Sequence, residues 1–180
     1  MPLNTLKRMV QLQLVSQVEG AVLGGLNDFQ FDLGTRQLYG WRVKDGGMFG
    51  RTGGLAAQSL LQVGRDVAFV RTSQDVEWSG AGRNEEAGRA WASAYKGTAV
   101  MSRSGQAKGQ VQDFVLDDAA LRVEALLLNN NTILPLEPRV RLGSSTIVLE
   151  RDDLVAEVPE TSDEDTGWWR RLRSRKPPPG

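Results

Sequence analysis

Cysteine and histidine are both missing from this 180-residue sequence. Without cysteine there is no disulfide, no thiolate metal site, no iron–sulfur cluster and no thiol nucleophile. The lack of histidine removes the usual general base at neutral pH, the commonest zinc ligand and every Ser-His-Asp arrangement. Charge of one sign is not in excess either, since 22 basic side chains face 22 acidic ones. No whole-molecule field therefore draws the chain to nucleic acid or to an anionic membrane, and any such attraction must be local. No apolar run approaches the roughly 20 residues of a membrane span, and the first residues do not read as a signal peptide. The expected location is the cytoplasm, with peripheral association with a membrane as an alternative.

What the sequence does have is an internal repeat. GGLNDFQFD at 24–32 is echoed by GQVQDFVLD at 109–117, an offset of 85 residues that pairs Gly20 with Gly105, Asp28 with Asp113, Phe29 with Phe114 and Asp32 with Asp117. Leu26 meets Val111 and Phe31 meets Leu116, so apolar positions stay apolar. Farther on the offset falls to 79, with Gly64 matching Gly143, because the second copy lacks part of the glycine-rich KDGGMFGRTGG. A period near 85 is too long for a solenoid unit and implies duplication of a whole small domain.

Each copy reads as β-structure, with short apolar runs between Gly, Asp and Asn clusters at hairpin spacing. Strands are expected near 13–17, 25–31, 37–44 and 67–71, and again near 99–102, 110–116, 122–128, 133–136 and 146–150. Residues 55–63 are expected to form a short strand leading into one helical turn. Core residues two apart would follow strict strand alternation, yet Leu26 to Phe29 is a step of three in copy one, as is Val111 to Phe114 in copy two. A β-bulge at each Asp accounts for the break. Asp28 and Asp113 are then carboxylates bonding backbone at a bend, not catalytic or metal-binding acids, because each lacks a partner acid or ligand set. Asp32 and Asp117 read as the first residues of hairpin turns.

Between the copies, NEEAGRAWASAYKG at 84–97 predicts a helix, with Asn84 as N-cap, Glu85 and Glu86 at the positive end and Gly97 closing it. Trp91 and Tyr95 share its apolar stripe, which packs on the protein itself or anchors a partner groove. SGAGR at 79–83 reads as a hinge. The glycine-rich DGGMFGRTGG carries no P-loop lysine and no dinucleotide fingerprint, and is expected to be a mobile loop.

The end of the chain changes character. Residues 157–167 hold five acids and no base, then comes WWRRLRSRKPPPG. Trp168 and Trp169 beside Arg170, Arg171 and Arg173 combine aromatic anchors with positive charge, suited to an acidic protein groove, an anionic membrane surface or a nucleic-acid backbone. The alternative is a solvated tail that folds its basic end onto its acidic block.

GxxxDFxxD, with its upstream glycine and a downstream VG or LG before the last strand, resembles the PRC-barrel family. Copy two follows the family's opening pattern through KGTAVMSRSGQAKGQVQDFVLDD at 96–118; copy one departs from it at Gly25 and in its glycine-rich insertion. Together the two copies cover most of residues 8–153. Family members include the cytoplasmic domain of the photosynthetic reaction-centre H subunit and the C-terminal domain of the ribosome maturation factor. The resemblance implies a mostly β chain of two small antiparallel PRC-type β-barrels in tandem. They would occupy residues 1–78 and 97–155, joined by a helix-containing linker at 79–96 and followed by a disordered tail at 156–180. It also implies a non-enzymatic binding or assembly module, with no catalytic residue, cofactor, metal or small-molecule substrate. A protein is the expected partner, with RNA, a ribosome or an anionic membrane surface as alternatives reached through the tail.

Overall fold

A computed structural model describes residues 3–48, 50–78, 87–151 and 154–158. The chain is mostly β. It opens with strand β1 (Asn4–Thr5) and a single helical turn, α1 (Leu6–Met9), capped where the Thr5 Oγ1 accepts from the Arg8 amide at 3.1 Å. Then follow β2 (Gln13–Ser16), β3 (Val22–Asp32), β4 (Leu38–Lys44), β5 (Thr52–Ala56), β6 (Leu60–Val63), β7 (Val67–Val70) and β8 (Val76–Glu77). A second strand-and-turn, β9 (Arg89–Trp91) and α2 (Ala92–Tyr95), leads into β10 (Ala99–Ser102), β11 (Ala107–Leu116), β12 (Val123–Leu128), β13 (Thr132–Pro135), β14 (Val140–Leu142), β15 (Thr146–Leu149) and β16 (Ala156–Glu157).

The strands form two sheets with the same order. One runs β6-β7-β2-β3-β4-β5-β8, the other β14-β15-β10-β11-β12-β13-β16. Neighbours are antiparallel except for one parallel pair in each sheet, β2 with β7 and β10 with β15, which departs from the expected all-antiparallel pairing. The physical reason lies in the connection: the β6–β7 hairpin brings the chain back to the free edge of β2 running in its own direction.

The phase break in each founding strand falls where the pairing register shifts, between Leu26 and Asp28 against β4 and between Val111 and Asp113 against β12. The shift turns Leu26, Phe29 and Phe31 to one face and Val111, Phe114 and Leu116 to its counterpart, and all six are buried.

The opening segments are exchanged. β1 pairs with β11, in the other sheet, through Asn4 with Leu116 and Thr5 with Val115. β9 pairs with β3 through Gln30 with Trp91, Phe31 with Ala90 and Asp32 with Arg89. A two-fold relation between the copies follows from residues that meet their own equivalents. Gln37 bridges Arg122, its partner at the offset of 85, flanked by reciprocal bonds from the Leu38 amide to the Leu121 carbonyl and from the Val123 amide to the Arg36 carbonyl, each 2.9 Å. Phe29 and Phe114 stand edge to face at 5.4 Å, and Phe31 lies 6.1 Å from Phe114. One buried cluster runs through both sheets. The arrangement is that of a C2 dimer, with its self-complementary interface, built within one chain.

Arg36 ties the halves together from the interior. Its guanidinium donates to the Leu33 carbonyl in its own hairpin and to the Val140 carbonyl in the other sheet, the latter at 2.6 Å. Burial lowers its pKa from the ordinary arginine value.

Two further expectations are corrected. The helix expected at 84–97 is a turn at Ala87 and Gly88, strand β9 and only the four-residue α2, with residues 84–86 outside the described residues. The free edge of β3 at Gln30–Asp32 offers main-chain partners that a short, marginal helix cannot match, so pairing overrides local propensity. The glycine-rich stretch expected as a mobile loop gives Thr52–Gly54 to β5, paired along β4 from Gly40 to Lys44. The hinge at 79–83 lies outside the described residues, as does most of the tail. Among the described residues no helix is long and apolar enough to cross a membrane.

Candidate functional site

The motif aspartates act as acceptors for main chain. Asp28 is 3% exposed; its Oδ1 accepts from the Phe29 amide at 2.9 Å and the Ser93 amide at 3.2 Å, and its Oδ2 from the Ser93 hydroxyl at 2.5 Å. Asp113 does the same in the other sheet, accepting from the Phe114 amide at 2.8 Å and the Lys7 amide at 3.2 Å. Ser93 sits in α2 and Lys7 in α1, so each carboxylate fastens the helical turn that the other copy supplies. Hydrogen bonds to a charged acceptor contribute about 1.5–3 kcal/mol. Asp28→Ala is therefore expected to lower the unfolding free energy by about that amount in a denaturant melt. Asp28→Asn, which keeps one acceptor oxygen, should recover part of it; a wild-type midpoint for Asp28→Ala would refute this role.

Asp32 and Asp117 hold the hairpins. The Asp32 Oδ1 accepts from the Thr35 amide at 2.7 Å and the Gly34 amide at 2.8 Å, and these bonds, the Thr35 amide first, pull its pKa below the usual carboxylate value. The Asp117 Oδ1 accepts from the Leu121 amide at 2.7 Å. Among the described residues no group of His, Cys, Asp and Glu side chains is arranged to hold a metal ion.

The structure assembles a different candidate on the face of the first sheet turned away from Phe29 and Phe31. Pairing aligns Trp91, Gln30, Gly40 and Ala56 in one cross-strand row, and Arg42, Gly54 and Glu77 in the next. Over these rows lies a cleft of about 870 Å³ with Gly40 and Gly54 in its floor. Arg89 and Trp91 of β9 line one wall; Gln58, Gln74, Asp75 and Glu77 line the other.

Tyr39 enters the cleft through a second bulge. Gln30 pairs with Gly40 and Phe31 with Leu38, so Tyr39 is the extra residue, and its ring is half exposed. Bulges re-aim side chains in this way. The Arg89 guanidinium stacks on that ring at 3.7 Å, and Arg42 stacks on Trp91 at 4.0 Å. Trp41 also lines the cleft; it is 1% exposed, packs on Phe29 at 5.3 Å, and its indole N–H has no acceptor among the described residues.

The equivalent face of the second sheet is closed. Gln30, Gly40 and Arg42 correspond to Val115, Ala125 and Leu127, Gly54 to Ile133 and Glu77 to Ala156, by offset and by register. Val115, Ala125 and Ile133 form a fully buried cluster, covered by Leu3, Leu127, Ala156 and Val158. Leu3 takes the place that Arg89 has beside β3. The same scaffold thus carries a sealed apolar face in one copy and an open polar cleft in the other.

Of the cleft residues, Trp91 alone was weighed as a partner anchor, as one alternative for its stripe. Trp91 was read as part of a helical stripe, and it packs against the chain's own Arg42. The missed signal is the difference between the copies at aligned positions, Gln30 against Val115 above all. Trp168, Trp169, Arg170, Arg171 and Arg173 lie outside the described residues. Compared with known protein families and with curated proteins, the chain matches no family model and no curated sequence.

Proposed function

We propose that the chain is a non-enzymatic protein-binding module, two PRC-type β-barrels fused back to back, whose docking site is the cleft of the first copy. The observation that carries this reading is the contrast between the two faces. Duplication started both from one pattern, and only one has been filled with Val, Ala and Ile. The cleft's lining favours a peptide. Gln37, Gln58 and Gln74 offer exposed amide groups suited to an extended main chain, and Tyr39 and Trp91 offer aromatic surface. Asp32, Asp75 and Glu77 outnumber Arg89 among the lining charges, which disfavours a nucleic-acid backbone at this place.

Peptides selected from a displayed random library on the wild-type protein are the test. Gly54→Ile installs the residue found at the equivalent position of the sealed face, and Gln30→Val does the same one row away. Each variant is expected to keep a cooperative melt and to bind the selected peptides at least tenfold more weakly, a loss of about 1.4 kcal/mol. Undiminished binding by folded variants would overturn the reading.

A further inference from the structure

Resting on that reading, we propose that the occupant of the cleft is the chain's own segment 168–176, WWRRLRSRK. The argument is one of matched chemistry. The segment carries Arg170, Arg171, Arg173, Arg175 and Lys176 and no acid, whereas the lining of the cleft carries three carboxylates against the guanidinium of Arg89, with that of Arg42 beside it on Trp91. Asp75 and Glu77 stand together on the wall opposite Arg89, so a cationic segment entering the cleft meets acids on the side not already supplied with an arginine.

The region also has a repeated taste for arginine on an aromatic ring. Arg42 on Trp91, Arg89 on Tyr39 and Arg51 on Trp78 at 4.7 Å all lie on or beside the first sheet. Segment 168–176 brings both halves of that pairing, two tryptophans next to a run of arginines.

The tail departs from the second sheet, and its length sets its reach. Val158 is the last described residue, held beside the second sheet by the bond from its amide to the Asn131 carbonyl at 3.1 Å. The nine residues 159–167 that follow reach about 30 Å when fully extended. The segment then serves the cleft of its own molecule or that of a second copy, and in the latter case links copies head to tail.

Because the chain has no cysteine, two introduced ones report on each other alone. In the full chain, Gln58→Cys in the cleft wall is combined with Ser174→Cys in the segment and oxidised mildly. A control pairs Ser174→Cys with Asn130→Cys, an exposed position next to the point where the tail departs. Cross-linking of the cleft pair is expected to exceed the control at least tenfold and to fall to the control level when Trp168→Ala and Trp169→Ala are added. Monomer-sized product marks docking within a molecule and dimer-sized product docking between copies; either supports the proposal. Equal cross-linking of cleft and control pairs, or cross-linking indifferent to the tryptophan substitutions, overturns it. Library peptides that still bind the wild-type cleft in that case would leave the docking-site reading standing.

Discussion

Phe114→Ala is expected to lower the unfolding free energy by about 3–5 kcal/mol and to do so for both sheets at once. Phe114 is fully buried, and its ring meets the edges or faces of Phe29 and Phe31 across the two-fold. Truncation to Ala removes apolar burial, opens a cavity between two sheets that cannot collapse independently, and deletes aromatic pairs that contribute about 0.5–1.5 kcal/mol each. With Trp168→Phe and Trp169→Phe in the background, tryptophan fluorescence reports the spread of the damage, because Trp41, Trp78 and Trp91 all lie on or beside the first sheet while the substitution lies in the second. A single transition shifted to lower denaturant is the expected trace. Phe29→Ala should mimic it, and the double variant should cost less than the two losses added together, since the residues share one contact. An unchanged midpoint for the fluorescence transition would mean that the aromatic cluster does not couple the copies.

What could be read in the sequence was what the backbone demands twice. The glycines heading the motif, Gly24 and Gly109, both adopt positive φ, +133° and +128°, and a Cβ on Gly24 would stand 2.2 Å from the Lys44 carbonyl oxygen. Such positions tolerate little else, so both copies keep them and the repeat remains visible. The phase break was legible for the same reason, since a bulge leaves its mark on which residues are apolar. Pairings of two or three residues were not legible. Asn4–Thr5 and Arg89–Trp91 have no periodicity to detect, and what makes them strands is an edge of the other copy's sheet, far away in sequence. Local composition around Trp91 even argued for a helix. The cleft escaped for a different reason: it is defined by Gln30, Gly40, Gly54 and Arg89 departing from Val115, Ala125, Ile133 and Leu3. A reading that looks for what the copies share passes over it.

Dividing the chain between residues 86 and 87 is expected to have the largest effect of all: neither half should fold alone, and the two should fold on mixing. Half one would keep the first sheet but lose β9 and α2. The edge of β3 at Gln30–Asp32 would be left unpaired and the buried Asp28 carboxylate would lose the Ser93 amide and hydroxyl. Half two would lose β1 and α1, baring Val115 and Leu116 and taking the Lys7 amide from Asp113. Both would expose the aromatic face where Phe29, Phe31 and Phe114 meet. Unpaired buried polar groups and an open apolar core each work against a domain whose net stability is only about 5–15 kcal/mol. Mixing restores every one of these contacts, at the cost of making folding bimolecular, so the melting temperature of the mixture should rise with concentration while that of the intact chain does not. Circular dichroism and gel filtration of each half and of the mixture read the outcome. Asp113→Ala in half two should weaken the complex, because the carboxylate is the acceptor for a turn that now arrives on another chain. Cooperative folding of either half by itself would show that the exchanged segments decorate two self-sufficient barrels, and the shared core would then be an interface between domains and not the condition of their folding.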